Sequence, residues 1–281
     1  MSKLLMSQLA ATNMVYGRFS FDYFLESMKR LGVHNLELYA CSPHYHLWDA
    51  DEDPTPAIKA KIRASGMKII SLMPEENVYP VNIAAREEAL RAQTVSLYKR
   101  FISAAAELEC PQMLLCPGRP YYDQPYWESY AYARDSIEKL TRHAEHEGIV
   151  LMYENLNCKE SLLATNRFDQ MRMVDDICSP WLKCCVDTVP VAAAGETLEE
   201  YFQVMGDKLA HIHLNDGRPT GHMKWGDGTQ NLDAHLDAMR RHGYTGHITM
   251  EMAAGMYMTD PEPHYKKNIE TLRVHFDGGE L

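Results

Sequence analysis

The stretch Gly148-Ile149-Val150-Leu151-Met152-Tyr153-Glu154-Asn155 decides how the rest of the chain is read. A glycine closes a helical pattern, an unbroken apolar run follows, and the run stops at a carboxylate. Such a segment suits a parallel strand buried on both faces. The same unit recurs at 4–12, 35–40, 68–73, 112–116, 149–155, 182–188, 209–215 and 247–252. Amphipathic helical patterns alternate with these strands at 21–31, 55–65, 84–109, 127–147, 168–178, 198–206, 232–242 and 263–276. Gly32, Gly66, Gly148 and Gly243 follow four of the helices, where a left-handed C-cap favours glycine. Asp53-Pro54 and Asp260-Pro261 read as helix starts, a cap residue followed by a proline that the first turn tolerates.

Parallel strands need right-handed crossovers with a helix outside, so eight strand–helix units predict a single (β/α)8 TIM barrel over residues 1–281. A doubly wound open sheet would carry a G-x-G-x-x-G turn after its first strand, and Ala10-Ala11-Thr12-Asn13 lacks one. No Pro/Gly/Ser linker or charge block divides the chain.

Composition narrows the function. Apolar residues at 46% and charged residues at 24% are those of an ordinary globular protein, which excludes disordered and disulfide-stapled classes. With 28 Lys+Arg against 39 Asp+Glu, the formal charge of −11 disfavours nucleic acid and anionic membranes and leaves a small molecule as the expected partner. No apolar run is long enough to span a bilayer, and the N-terminus lacks the features of a signal peptide. Seven cysteines without a C-x-x-C pair, together with 17 methionines, predict a reducing cytoplasm.

In a (β/α)8 barrel the chemistry sits at the C-terminal ends of the strands. There strand five offers Glu154, strand six Asp187, strand seven His211 and His213, and strand eight Glu251. Three carboxylates and an imidazole form a hard, oxygen-rich set suited to Mn²⁺, Mg²⁺, Co²⁺ or Zn²⁺. Their mutual repulsion makes a dication the natural neutraliser. His211 and His213 share a strand face, so spacing leaves open which of the two is the ligand.

The set Glu154, Asp187, His213 and Glu251 resembles the metal site of the xylose-isomerase-like TIM-barrel sugar isomerases and epimerases, in particular ketose 3-epimerases and fructoselysine 3-epimerase. The separations of 33 residues from Glu154 to Asp187 and 26 from Asp187 to His213 are similar to those of ketose 3-epimerases. Pro74-Glu75-Glu76-Asn77-Val78-Tyr79-Pro80 and Met256-Tyr257-Met258-Thr259-Asp260-Pro261 resemble the fructoselysine branch. The resemblance implies a divalent ion, Mn²⁺ first, held by those four residues, with His211 structural. It also implies proton abstraction beside a substrate carbonyl through a metal-bound enediolate, with Glu154 and Glu251 exchanging protons from opposite faces. Substrate contacts implied are Glu160, His222, Arg218 and Glu75.

Departures from the pattern put free ketoses such as fructose or tagatose in doubt. Asn155 stands where these epimerases usually have proline, Pro190 where ketose 3-epimerases place a substrate histidine, and Pro219 in place of their arginine, with Arg218 adjacent as a substitute. The aromatic loops 41–48 and 117–127 are expected over the barrel mouth, where Tyr and Trp suit a sugar face or an aglycone. An alternative with the same barrel and ion is the catalytic subunit of a C-glycoside-cleaving lyase, which acts on 3-keto glycosides and needs a small β-rich partner; an epimerase is expected to be a homo-oligomer. Abasic-site nucleases resemble the fold too, but they need a histidine where Pro190 stands. No G-x-S-x-G, P-loop or H-E-x-x-H is present.

Overall fold

The computed structural model describes residues 2–48, 52–76, 80–279 and 281. Asn77, Val78 and Tyr79 of the 74–80 peptide lie outside the described residues. Eight parallel strands pair in chain order and close on themselves: β1 (Leu9–Thr12), β2 (Asn35–Ala40), β3 (Lys68–Pro74), β4 (Gln112–Leu115), β5 (Val150–Glu154), β6 (Leu182–Asp187), β7 (Leu209–His213) and β8 (Ile248–Met250). Helices α1 (Phe21–Leu31), α2 (Thr55–Ser65), α3 (Glu88–Glu107), α4 (Tyr126–Glu147), α5 (Arg167–Ile177), α6 (Thr188–Ala193), α7 (Leu198–Met205), α8 (Leu232–Arg241) and α9 (Pro261–Arg273) lie between and after them. This is the TIM barrel that the repeating strand–helix unit predicts.

Side chains alternate in and out along a strand, and closure turns one parity of every strand toward the axis. Met73, Leu114, Met152 and Cys185 pack together as an apolar plug. Two residues further along the same strands or their extensions come Glu75, Cys116, Glu154 and Asp187, which line a cavity above that plug. Register holds the polar layer level, with Asp187 beside His213 and His213 beside Thr249.

The strands are shorter than the apolar runs. Residues 4–8 do not join β1, because Met6–Gln8 form a 3-10 turn whose Gln8 side chain accepts the Leu5 N–H at 2.8 Å. Glu251 follows β8 rather than ending it. Helix α6 has too few turns to show a period in the sequence; Asp187 caps it, accepting the Val189 N–H at 2.8 Å, and Pro190 falls in its first turn. The N-cap of α2 is Pro54, not Asp53, which precedes it and accepts the Thr55 N–H at 2.9 Å, and Asp260 makes no side-chain cap to α9. Among the described residues no helix is long and apolar enough to cross a membrane.

One buried side chain ties the helical layer to the site strands. Gln170 of α5 is wholly buried, and its amide donates to the Tyr153 and Cys185 carbonyls, each at 2.7 Å, across the β5–β6 pair. Gln170→Ala is expected to lower unfolding stability by roughly 2–3 kcal/mol, for two lost buried hydrogen bonds and the space left behind. Urea unfolding measures this.

Candidate active site

Glu154, Asp187, His213 and Glu251 come together at the mouth, with one ligand atom from each lying within 4.8 Å of the others. His213 Nδ1 is 2.9 Å from Glu154 Oε1 and 3.0 Å from Glu251 Oε2, yet it has no aligned hydrogen bond. Its other nitrogen, Nε2, lies 2.8 Å from Glu37 Oε1, which assigns the ring proton to that bond and leaves the Nδ1 lone pair facing two carboxylates. Burial works against charge on His213, but Cys185, Glu37, Glu251 and Glu154 outweigh burial and push its pKa well up, so without a cation the Nδ1 position favours a second proton. The pocket therefore calls for positive charge at this point, and three carboxylates and an imidazole nitrogen suit a divalent cation.

Two overlapping clusters are less suited. Glu37 is already shared between the two imidazoles, since its Oε2 lies 2.6 Å from His211 Nε2 and accepts the Thr249 hydroxyl at 2.8 Å. Burial pushes the Cys185 thiol well above its ordinary range, so it stays protonated. Burial would also raise Glu37, but His213 and His211 outweigh it and hold this carboxyl far below the usual range. His211 thus lies beneath the four-residue set.

The acids of the set differ. Burial lifts Glu154 to about 7, against His213, which stabilises its charge. Burial pushes Asp187 up too, but His222, whose Nε2 is 2.6 Å from Asp187 Oδ2, brings it below its ordinary value. His222 is raised to about 10, because Asp187 and Glu251 outweigh its desolvation. Asn155 holds the end of β5 to that of β6: its Oδ1 accepts the Asp187 N–H at 2.8 Å and its Nδ2 donates to the Asp187 carbonyl at 3.2 Å. Proline has no side-chain group to make either bond.

Of the other residues expected at the site, Glu75, Glu160 and His222 line the cavity. Arg218 does not; it is exposed on the turn after Gly217, where its N–H donates to the Thr220 carbonyl at 3.0 Å. The aromatic loops also differ from expectation, since their Tyr and Trp side chains do not line the cavity. Tyr121 bonds Glu87, Tyr122 bonds the Cys158 carbonyl, Trp127 packs on Tyr126 and Tyr130, and Tyr45 is buried on Thr55. The hydroxyls of Tyr45, Tyr121 and Tyr122 thus tie these loops to neighbouring segments, while Trp127 packs within its own helix.

Sequence reasoning passed over Glu37, Tyr39, Glu76, Cys116 and Asp216. A lone acid within Leu36-Glu37-Leu38 was the available signal for the first. Asp216 organises the loop that carries His222. Buried to 2% exposure, its carboxylate accepts the N–H groups of Gly217 at 2.8 Å, Gly226 at 3.0 Å, Gly228 at 2.8 Å and Gln230 at 3.0 Å. A Cβ on Gly228 would fall 2.1 Å from Asp216 Oδ1, so only glycine fits there. The His222 carbonyl in turn accepts from Ala253 and Ala254, just past Glu251.

A closed barrel with inward acids converging on an imidazole at its C-terminal mouth defines a (β/α)8 protein with a candidate divalent-cation centre. The chain belongs to the xylose isomerase-like TIM barrel family, whose model matches residues 25–275. Fructoselysine 3-epimerase of Shigella flexneri is 27% identical over 259 residues, which cover 92% of this chain and 94% of that protein. The structure of 3-keto-D-glucoside 4-epimerase from E. coli superposes with a TM-score of 0.80 at 17% identity, covering 95% of this chain and 99% of the other. D-allulose 3-epimerase from Methylomonas sp. superposes at 0.79 and 16% identity, covering 98% and 99%.

Removing the Asp216 carboxylate leaves four backbone N–H groups without their acceptor. Asp216→Ala is expected to cost about 3 kcal/mol or more of stability and to raise amide exchange across residues 217–230 at least tenfold. Hydrogen–deuterium exchange read by mass spectrometry checks it, with the strand amides as the internal standard.

Proposed function

We propose that the chain is a divalent-metal-dependent sugar epimerase, an isomerase that moves a proton beside a carbonyl in a ketose or fructosamine-type sugar. The observation that carries this reading is the convergence of Glu154 and Glu251 on His213 Nδ1, at 2.9 and 3.0 Å, with Asp187 completing the set. Similarity to fructoselysine 3-epimerase over nine-tenths of the chain supports the sugar class. Glu154, Asp187, His213 and Glu251 would hold the ion, Mn²⁺ by preference, and a bound dication would supply charge stabilisation for a developing oxyanion.

The chain's own groups do the rest. One glutamate, Glu154 or Glu251, takes the proton from the carbon next to the carbonyl, and the other returns a proton from the far face of the planar intermediate, inverting the centre. Glu160 accepts a sugar hydroxyl, and His222 keeps Asp187 ionised and oriented. The apolar plug of Met73, Leu114, Met152 and Cys185 closes the floor against water. The aromatic loops do not line the cavity, which favours the epimerase over the lyase alternative, whose discriminator is its need for a small β-rich partner. All seven cysteines are free thiols, in keeping with a cytoplasmic enzyme, and we expect a homo-oligomer.

Incubation in D₂O with the metal-loaded protein should place deuterium beside the carbonyl of one compound from a panel of ketoses, fructosamines and 3-keto glycosides, together with a new epimer of the same mass apart from the label. Glu154→Gln and Glu251→Gln should each slow this by 10²–10⁴-fold. Exchange that proceeds unchanged in either variant sinks the two-glutamate mechanism, and release of an aglycone moves the assignment to the lyase.

Glu37→Gln keeps the shape but removes the charge that fixes His213, so affinity for the ion is expected to fall about 10–100-fold. Competition with a chelator of known affinity gives that ratio directly.

A further inference from the structure

Glu154 turns its two carboxylate oxygens to different neighbours. Oε1 lies 2.9 Å from His213 Nδ1, on the side of the four-residue set, while Oε2 accepts the Cys116 thiol at 3.8 Å. Sulfur is larger than oxygen, so a thiol donor sits further from its acceptor than a hydroxyl does. Glu251 is held differently: its Oε2, 3.0 Å from His213 Nδ1, has no hydrogen-bond partner among the described residues. The two glutamates meet at one nitrogen, and a thiol steadies one of them.

Cys116 is itself fixed in place. It follows β4 at the inward position above Leu114, is 9% exposed, and donates its backbone N–H to Glu76 Oε1 at 3.2 Å. Glu76 is bonded in turn by the hydroxyl of Tyr98, a buried residue of α3. A line of buried groups therefore runs from α3 through Glu76 and Cys116 to Glu154. The backbone N–H and the Tyr98 hydroxyl both serve Glu76, which leaves the Cys116 thiol to Glu154. Burial, with Glu76 and Glu154 beside it, pushes that thiol well above its ordinary range, so it keeps its proton and acts as a donor. A thiol is a weak donor. It fixes the direction of a carboxylate without removing the basicity that a proton acceptor needs, as an ammonium in its place would.

We propose that Cys116 is a positioning residue for Glu154: anchored by Glu76 and Tyr98, it holds Oε2, so that Oε1 alone faces the ion position and the carboxylate keeps one orientation toward the substrate carbon. The use of that orientation rests on the epimerase reading; the thiol contact does not. Infrared spectra in the S–H stretching region test the contact on the unaltered protein, with neither substrate nor metal. The band that disappears in Cys116→Ser is expected at a lower frequency than those of the other buried thiols, and Glu154→Gln should move it up. A band that responds to Glu76→Gln and not to Glu154→Gln overturns the proposal.

Turnover is read by deuterium exchange on the Mn²⁺-loaded protein, and Mn²⁺ affinity by competition with a chelator. Cys116→Ala is expected to lower kcat about tenfold, as for one lost hydrogen bond to a charged group, with KM and Mn²⁺ affinity within about twofold of the unaltered protein. Cys116→Ser, which keeps a donor, should recover part of the loss. An unchanged kcat in Cys116→Ala overturns the proposal. So does a loss of turnover matched by equal losses of Mn²⁺ affinity and thermal stability, which marks a role in packing alone. If no compound of the panel exchanges, the epimerase reading fails, and the infrared bands alone decide the thiol contact.

Discussion

A single buried carboxylate, Glu37, holds the two imidazoles of β7 in place. Taking an isolated carboxylate out of water costs several kcal/mol, and Glu37 offsets this with two ring nitrogens and the Thr249 hydroxyl. The pairing does more than satisfy the charge. By occupying Nε2 of His213 it fixes which nitrogen faces the mouth, and that nitrogen is the one at which Glu154 and Glu251 converge. Residues from β2, β5, β7 and the segment after β8 therefore share one network, so the site assembles only when the barrel has closed.

Strand parity links this network to the packing beneath it. The inward positions that hold Met73, Leu114, Met152 and Cys185 are followed two residues later by the groups that line the cavity. Dry side chains below and acids above are thus consecutive inward positions of the same strands. The low-dielectric floor explains why Glu154 is raised, and neighbouring imidazoles explain why Asp187 and Glu37 go the other way.

Much of this was legible in the sequence because it depends on local pattern. Apolar runs ending in Glu154, Asp187 and His213 announce both the strands and the positions of their polar ends. Glu37 was hidden because its partners His211 and His213 are far away along the chain, and only barrel closure brings β2 inside their reach. Helix α6 escaped because one and a half turns leave no period to read. The aromatic loops misled for a different reason: their place after β4 puts Tyr121, Tyr122 and Trp127 at the mouth end, but which way a ring turns depends on partners such as Glu87 and the Cys158 carbonyl. Arg218 likewise is close in sequence to the site loop while the turn directs it outward.

The loop after β7 begins and ends on the same residue's side chain, since Asp216 gathers the N–H groups of Gly217, Gly226, Gly228 and Gln230. Its ends are closed without help from the exposed tip at residues 218 and 219. Such a ring behaves as an exchangeable cassette. Its base sets where His222 stands, while the outward tip is open to replacement by segments of other length or composition, which offers an engineer a place to insert new sequence without rebuilding the barrel.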